Sequence, residues 1–306
     1  MAALAVAVCL TAASCHRLDP NAPTSSTMPA STATNRTVTI TTKDGAREAI
    51  IVHPASAGTD AALVVMLHGG FGSGTQSEKA YGWDDEATRQ GFVVAYPNGI
   101  GATWNVGNCC GQAQKNGVDD VAFLHALVTQ LERSDGVDPN RVYAVGMSNG
   151  AMMTYSWACR DPSELAAIGP VAGTLGTPCP SPHPITVIAI HGTADKHVPI
   201  DGGIGLAGRT GVSYDSLAQS LAPFIAADGC PASPAITEAP PLTTSVWTCA
   251  AGLSVTTRVV DGAGHQWPGS TKPSTAGRTL LGIDPPSTAF NATDFLWQHL
   301  RSVQLS

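Results

Sequence analysis

The chain has 306 residues, of which 43% are hydrophobic and only 13% are charged. This composition is enough to bury a large core under a weakly charged surface, in one large α/β domain or two small ones. The net charge is −7 and no run of lysine or arginine occurs, which argues against nucleic acid as a partner.

The N-terminus has the composition of an export signal. Residues 1–14 are apolar or small, and this stretch is too short to span a bilayer, so it resembles the apolar core of a signal peptide. Residues 12–15 also resemble a lipoprotein cleavage site, in which case Cys15 would be lipidated and attach the protein to a membrane; plain secretion is the alternative. We therefore predict a leader over residues 1–15 and a secreted or cell-envelope location. A linker rich in Ser, Thr and Pro is predicted over residues 16–36.

Hydrophobic patterns predict strands that alternate with helices. The predicted strands cover residues 38–42, 49–52, 62–67, 92–96, 141–145, 166–171, 186–190, 244–248 and 254–260. The predicted helices cover residues 77–90, 118–131, 212–226 and 288–301, with another directly after residue 150. This alternation favours a mostly parallel sheet with helices on both faces. No composition shift follows residue 36, so residues 37–306 are predicted to form one domain.

A serine at a strand–helix turn is the most informative feature of the chain. Residues 146–150 read Gly-Met-Ser-Asn-Gly, between a predicted strand and a predicted helix. Glycines two positions either side of Ser148 let the strand and the helix pass close together. The serine oxygen then stands at a helix N-terminus, whose amides favour nearby negative charge. The pattern is typical of a nucleophile elbow.

A serine hydroxyl is a poor nucleophile at neutral pH, so it needs a base and an acid that orients the base. In folds with this elbow, the acid and then the histidine follow the serine along the chain. The predicted strand 186–190 runs into a loop that contains Asp195, which we predict to be the acid. Asp201 and Asp215 are the reserve candidates.

The base is predicted at His265. The strand 254–260 runs into a glycine-rich loop that carries this histidine, downstream of both predicted partners. Glycines before it give the loop the freedom to bring the imidazole over Ser148. His191 and His197 lie too close to the acid loop to be first choices.

Two backbone amides are expected to stabilise the oxyanion. One is the N–H of Asn149, directly after the nucleophile, and the other comes from the glycine-rich loop 68–72. We predict the Gly70 N–H as this second donor and Phe71 as the alternative, because a glycine lets the backbone face the substrate.

Two aromatic and two acidic residues also stand near predicted strand or helix ends. Trp104 and Trp267 are interpreted as loop aromatics that form the walls of a substrate pocket, with core packing as the alternative. Asp119 and Asp120 stand at the start of the predicted helix 118–131, where acidic residues suit the helix dipole. We interpret these two carboxylates as structural.

The cysteine count predicts disulfides. Of the eight cysteines, Cys9 and Cys15 fall in the leader, and an even number remains for pairing in an exported chain. The remaining ones are Cys109, Cys110, Cys159, Cys179, Cys230 and Cys249. We predict a Cys230–Cys249 bond, and because a bond between neighbours is strained, we expect Cys109 and Cys110 to pair separately with Cys159 and Cys179. No C-x-x-C spacing supports a metal site.

Several linked motifs together carry a family resemblance. They are residues 68–70, 96–99, 104 with 109–111, 118–124, 146–150, 191–195 and 264–269. These motifs resemble the secreted polyhydroxybutyrate depolymerase and feruloyl esterase-like family of α/β-hydrolases, over residues 38–300. The resemblance implies the α/β-hydrolase fold and a triad of Ser148, Asp195 and His265. It also implies hydrolysis of carboxylic esters through an acyl-enzyme, without a cofactor.

We therefore predict an exported serine ester hydrolase that is a monomer and acts on hydroxyalkanoate esters or oligomers. A feruloyl or acetylxylan carbohydrate esterase is the alternative within this class. Two other classes compete with it. A serine peptidase would share the triad geometry, and a catalytically silent envelope protein would only bind its ligand.

Overall fold

The structure is a computed structural model that describes residues 34–207, 211–271 and 283–305. The predicted leader, residues 1–15, lies outside the described residues, as does the linker up to residue 33. The first strand begins at Thr34 and pairs with the second from that residue onward. The last three residues of the predicted linker therefore belong to the sheet.

A ten-stranded sheet organises the described residues. Its strands are β1 (Thr34–Thr42), β2 (Gly45–His53), β3 (Ala61–Leu67), β4 (Val93–Pro97), β5 (Val137–Met147), β6 (Ala167–Val171), β7 (Thr186–Gly192), β10 (Ala235–Ala239), β11 (Leu242–Thr248) and β12 (Ser254–Val260). Two short strands, β8 (Gly203–Ile204) and β9 (Ser213–Tyr214), form a separate pair. The spatial order is β1-β2-β4-β3-β5-β6-β7-β12-β11-β10. Neighbours from β4 to β12 are parallel, and the pairs at both edges are antiparallel. The predicted mostly parallel sheet is confirmed.

Helices cover both faces of this sheet. They are α1 (Gly74–Tyr81), α2 (Trp83–Gln90), α3 (Gly111–Lys115), α4 (Asp120–Asp135), α5 (Asn149–Arg160), α6 (Leu217–Ala227) and α7 (Ala292–Leu300). Alternate residues of β3 enter different cores: Leu63 packs in the core that includes α4, α5 and α6, and Val64 packs in the core that includes α2 and α7. Because successive strand residues point to opposite faces, the two cores lie on opposite sides of the sheet.

Helix boundaries differ from the sequence prediction where local caps intervene. The predicted helix 77–90 is two helices, because Gly82 adopts a left-handed φ of 76° that ends α1 and starts α2. The predicted helix 212–226 begins only at Leu217. Ser216 and Gln219 form a capping box there, which fixes the helix start. The residues before it form β9 (Ser213–Tyr214), which pairs with β8 (Gly203–Ile204).

One strand of the ten-stranded sheet, β10, was not predicted, because its sequence has no regular hydrophobic pattern. Every residue of β10 is exposed, and this strand forms the edge of the sheet beside β11. A strand without a buried face shows no alternation of apolar and polar residues. Its position depends on backbone pairing with β11.

The described residues contain three disulfides, and one of them corrects the predicted pairing. They are Cys109–Cys110, Cys159–Cys179 and Cys230–Cys249. The predicted Cys230–Cys249 bond is confirmed. The prediction that Cys109 and Cys110 pair separately with Cys159 and Cys179 is wrong. Cys159 at the end of α5 lies 5.3 Å from Cys179 between Cα atoms, so these two pair with each other.

Candidate active site

The serine lies on a turn whose backbone leaves no room for side chains. Ser148 follows β5, precedes α5 and has a positive φ of 56°, a strained conformation for a residue with a side chain. A Cβ added at Gly146 would collide with the backbone of Gly150, and one added at Gly150 would collide with the backbone oxygen of Leu67. The two glycines therefore allow β5, α5 and the end of β3 to meet around the serine.

The structure brings the three predicted triad residues together. Ser148 Oγ lies 2.8 Å from His265 Nε2, and His265 Nδ1 lies 2.7 Å from Asp195 Oδ2. The residues follow β5, β7 and β12, so they meet at the edge formed by the carboxyl ends of parallel strands. Asp195 and His265 are 5% and 3% exposed, so their hydrogen bond lies in a largely dry environment.

Asp195 is held as an ionised acceptor. Burial alone would raise the pKa of its carboxyl, but the adjacent His265 and the hydrogen bond from the Val198 N–H outweigh burial, and the pKa lies below the ordinary value. Its second oxygen, Oδ1, accepts from the N–H groups of His197 at 2.8 Å and Val198 at 2.9 Å. A negative carboxylate in this position can stabilise a histidine that becomes positively charged.

An acidic residue that sequence reasoning missed holds the backbone of His265. The His265 N–H donates to Asp284 Oδ2 at 2.7 Å, and the Asp284 N–H donates to the His265 carbonyl at 2.7 Å. Asp284 comes 19 residues later in the chain and belongs to no recognised motif, so no local signal pointed to it. The reserve acids Asp201 and Asp215 are exposed, and neither takes the place of Asp195 beside His265.

The other two histidines near the acid loop take different positions. His191 is buried with its Nε2 2.8 Å from the Val198 carbonyl, and burial lowers the pKa of this histidine. It therefore stays neutral beside Asp195. The His197 ring lies 5.0 Å from the His265 ring between centroids and contributes to the wall of the cavity over Ser148.

The two favoured amide donors lie side by side next to the serine. A Cβ built at Gly70 would lie 3.7 Å from Asn149 Cβ, and both residues line the cavity with Ser148. Within the described residues, no hydrogen-bond acceptor takes the backbone N–H of Gly70 or of Asn149. The N–H of Phe71, the alternative donor, is already bonded to the Ala102 carbonyl at 2.8 Å.

A buried histidine supports the loop that carries Gly70. His68 accepts the Gly99 N–H on Nε2 at 3.0 Å, and its Nδ1 lies 2.8 Å from the Gly69 carbonyl. Burial lowers the pKa of His68 to about 4, with the nearby Arg47 cation acting in the same direction. The ring is therefore neutral at pH 7, with one nitrogen free to accept from Gly99.

A cavity of about 500 Å³ opens over the serine. Its wall combines apolar and polar groups: Phe71, Asn108, the Cys109–Cys110 disulfide, Gln114, Lys115, Met152, Val212 and Tyr214. These residues come from separate loops and helices with no shared sequence pattern, so sequence reasoning did not identify them. The space beside Ser148 is large enough for a short chain or a single ring.

The predicted pocket tryptophans are core residues. Trp104 and Trp267 are 0% and 2% exposed, and neither lines the cavity, so their predicted place on an exposed pocket wall is wrong. The Trp104 indole N–H donates to the His68 carbonyl at 2.9 Å, and the Trp267 N–H donates to Thr293 Oγ1 at 3.1 Å. Because both indole N–H groups find buried acceptors, the rings pack inside at no hydrogen-bond cost.

One group of metal-type donors occurs within the described residues. The donor atoms of Asp228, Cys230 and Cys249 lie within 4.8 Å of one another. The two sulfur atoms are joined in a disulfide, and a metal needs free thiolates.

Among the residues that the structure describes, no helix combines the length and the apolar character needed to cross a membrane.

A serine at a strand–helix turn, with an aspartate and a histidine after later strands of a mostly parallel sheet, defines an α/β-hydrolase. Residues 47–215 match the sequence model of the family described as esterase PHB depolymerase. The chain belongs to this family and is a carboxylic-ester hydrolase.

Two curated relatives and one solved structure agree with this assignment. NocK of Nocardia uniformis subsp. tsuyamanensis, a protein named as an esterase, is 32% identical over 96% of this chain and 96% of its own length. Feruloyl esterase B of Piromyces equi is 27% identical over 72% of this chain, a match that spans only 42% of that protein. An acetyl xylan esterase from Aspergillus awamori has the same fold, with a TM-score of 0.57, 18% identity, and coverage of 81% of this chain and 100% of that one.

Proposed function

We propose that the protein hydrolyses carboxylic esters through a serine acyl-enzyme. Ser148 attacks the ester carbonyl while His265 accepts its proton and then delivers it to the leaving alcohol, which leaves an acyl-enzyme. Water then attacks the acyl group and gives a proton to His265, and this proton returns to Ser148 as the acid is released. Asp195 holds His265 in the required tautomer and stabilises its positive charge. The N–H groups of Gly70 and Asn149 bind the oxyanion. The continuous hydrogen-bonded series from Ser148 Oγ to Asp195, with steps of 2.8 and 2.7 Å, is the observation that carries this proposal.

Replacing the nucleophile tests this mechanism. We expect Ser148→Ala to lower the turnover of p-nitrophenyl butyrate by at least about 10⁴-fold, because the remaining groups cannot form an acyl-enzyme. Thermal stability should stay close to wild type, and labelling by a fluorophosphonate probe should disappear. Ser163→Ala is the matched control, since Ser163 is exposed and lies outside the cavity. A Ser148→Ala protein that keeps more than a few per cent of the activity contradicts the mechanism.

For the substrate, we propose hydroxyalkanoate esters or oligomers of the polyhydroxybutyrate type. Such chains alternate short aliphatic segments with ester oxygens, so they need apolar and polar contacts along one groove. Met152 and Val212 supply apolar surface in the cavity, and Asn108 and Gln114 supply hydrogen-bonding groups. The matched family is named after polyhydroxybutyrate depolymerases, which supports hydroxyalkanoate esters as the substrate.

Feruloyl esterase activity is the second candidate, because one relative of this chain is named feruloyl esterase B. A panel of 3-hydroxybutyrate trimer, methyl ferulate, acetylated xylan and a peptide p-nitroanilide separates the possibilities. We expect kcat/KM for the trimer to exceed that for methyl ferulate by at least about tenfold, which corresponds to about 1.4 kcal/mol of preferential transition-state binding. The opposite ranking would assign the protein to the carbohydrate esterases, and cleavage of the anilide alone would assign it to the peptidases.

We also propose that the protein is exported and works as a monomer. The three disulfides suit an oxidising compartment. Mass spectrometry of the mature N-terminus distinguishes a lipidated Cys15 from cleavage without lipid, and an uncleaved N-terminus would contradict export. Sedimentation in solution would reveal any dimer.

A further inference from the structure

One short segment connects the two parts of the proposed oxyanion hole. The bridging segment, residues 98–105, contacts the loop that carries Gly70 through three hydrogen bonds, one of which is the bond from the Gly99 N–H to His68 Nε2 described above. The Ala102 carbonyl accepts the Phe71 N–H at 2.8 Å, and the Trp104 indole N–H donates to the His68 carbonyl at 2.9 Å.

The same segment also holds the residue after the nucleophile. The Trp104 N–H donates to Asn149 Oδ1 at 2.7 Å, and Asn149 Nδ2 donates to the Trp104 carbonyl at 3.1 Å. This two-point contact fixes the side chain of Asn149 against the backbone of Trp104. The positions of both proposed donors therefore depend on where the bridging segment lies.

A buried ion pair holds the bridging segment at both ends. Arg47 Nη2 lies 2.8 Å from Asp120 Oδ1 and donates to the Asn98 carbonyl at 3.1 Å. At the other end, the Asn105 N–H donates to Asp120 Oδ2 at 2.8 Å. The two side chains are 2% and 0% exposed, and the Arg47 guanidinium lies 4.1 Å from the centre of the Phe123 ring.

Stability alone does not explain why a charged pair is buried at this position. Taking two charges out of water costs several kcal/mol per ion, and apolar residues of similar volume often stabilise a core equally well. Hydrogen bonds accepted by a carboxylate and donated by a guanidinium are directional, in contrast to apolar packing. The pair fixes two backbone positions, Asn98 and Asn105, which apolar side chains in the same space would leave without these partners.

We propose that Arg47 and Asp120 are positioning residues for the oxyanion hole, acting through the bridging segment on Gly70 and Asn149. This inference rests on the proposed serine mechanism and gives Asp120 a role beyond the helix start to which sequence reasoning assigned it. Loss of a whole oxyanion donor costs about 10²- to 10³-fold in kcat. A shift that weakens both donors without removing either should cost about 10- to 100-fold.

The test compares three variants by kcat, KM, melting temperature and inhibition by a trifluoromethyl ketone, which forms an oxyanion adduct with a serine enzyme. Asp120→Asn should lower kcat for p-nitrophenyl butyrate by about 10- to 100-fold, with KM within about threefold. Affinity for the ketone should fall by a similar factor. Asp119→Asn is the matched control. The Asp119 carboxylate is next to Asp120 in the chain, but it is partly exposed, caps α4 and bonds to Lys43 and Arg160.

A double substitution separates positioning from stability. The Arg47→Met, Asp120→Leu protein should keep a melting temperature near wild type, because the apolar pair removes the desolvation cost, yet its kcat should stay as low as that of Asp120→Asn. A stable double variant with wild-type kcat and ketone affinity would overturn the proposal. So would an Asp120→Asn protein that is less stable but equally active. If Asp120→Asn does not fold, the double variant decides.

The controls keep this proposal apart from the mechanism on which it rests. If the ketone fails to inhibit the wild type, or Ser148→Ala remains active, the serine mechanism itself fails. If both controls behave as expected and the ion-pair variants turn over like the wild type, only the positioning role fails.

Discussion

The two halves of the candidate catalytic centre are built by different means. Around the serine, the chain comes close because Gly146 and Gly150 carry no side chains, and Ser148 sits on a strained turn between them. Around the histidine, the loops are held by carboxylates: Asp195 on the ring and Asp284 on the backbone. The serine half therefore depends on glycines, which have no side chain, and the histidine half depends on the charge and hydrogen bonds of particular side chains.

This contrast means that the halves should fail in different ways. Adding a side-chain atom at Gly146 or Gly150, where it would meet backbone, should disturb the fold and the activity together. Changing an atom near the histidine should alter the chemistry and leave the fold in place. Three substitutions test this distinction, and they are given in decreasing order of their expected effects.

The largest effect is expected at Gly150. A methyl group there meets the backbone oxygen of Leu67, which cannot move without displacing β3. We expect Gly150→Ala to lower the free energy of unfolding by at least about 3 kcal/mol and to abolish ester turnover. Gly70→Ala is the control within the same half, since its methyl group meets only Asn149 Cβ at 3.7 Å. Urea unfolding of both proteins checks the prediction, and equal stabilities would remove the distinction.

The next effect is expected at Asp195. In Asp195→Asn the amide oxygen can still accept from the backbone of His197 and Val198, so the melting temperature should change little. The amide N–H₂ group then faces His265 and favours the wrong tautomer, so kcat should fall by about 10³- to 10⁴-fold. Asp201→Asn is the control, because that carboxylate is exposed. Wild-type turnover by Asp195→Asn would mean that another group orients the histidine.

The smallest effect is expected at Asp228, a buried carboxylate outside the candidate catalytic centre that serves as a comparison for Asp195. Burial raises the pKa of Asp228 to about 6, although the Ile185 N–H donates to its Oδ1 at 2.9 Å. Because this folded-state pKa lies above the ordinary value of 3.8, ionisation of Asp228 destabilises the fold at high pH. Asp195, by contrast, has a lowered pKa because His265 lies beside it.

Asp228→Asn removes that ionisation and keeps an oxygen for the Ile185 N–H. We expect this variant to be more stable than the wild type by about 1–3 kcal/mol at pH 8. The advantage should shrink as the pH falls through 6 and disappear near pH 4, where the wild-type carboxyl is protonated. Paired urea titrations at several pH values measure the difference, and a difference independent of pH would contradict the role of ionisation.

Most of the features that were predicted correctly follow from short sequence patterns. The glycine spacing around Ser148 is a short-range pattern, and the apolar runs of the central strands are continuous because both of their faces are buried. Asp195 and His265 were predicted because each lies in a loop shortly after a predicted strand, in the chain order expected after a nucleophile elbow. The same approach failed at Trp104 and Trp267, because a loop residue can turn either way and its burial depends on acceptors elsewhere in the fold.

The amino-acid sequence was sufficient to predict the strand–turn–helix around Ser148, the chain order of Ser148, Asp195 and His265, and the parallel sheet that brings their loops to one edge. Each of these follows from contacts between residues close in the chain, or from a repeating pattern of burial. Only the folded structure shows that Cys159 pairs with Cys179, which residues form the wall of the cavity, that Asp284 supports His265, and that Arg47 and Asp120 form a buried pair. Those contacts join distant segments whose approach depends on the packing of the whole sheet, which no local pattern records.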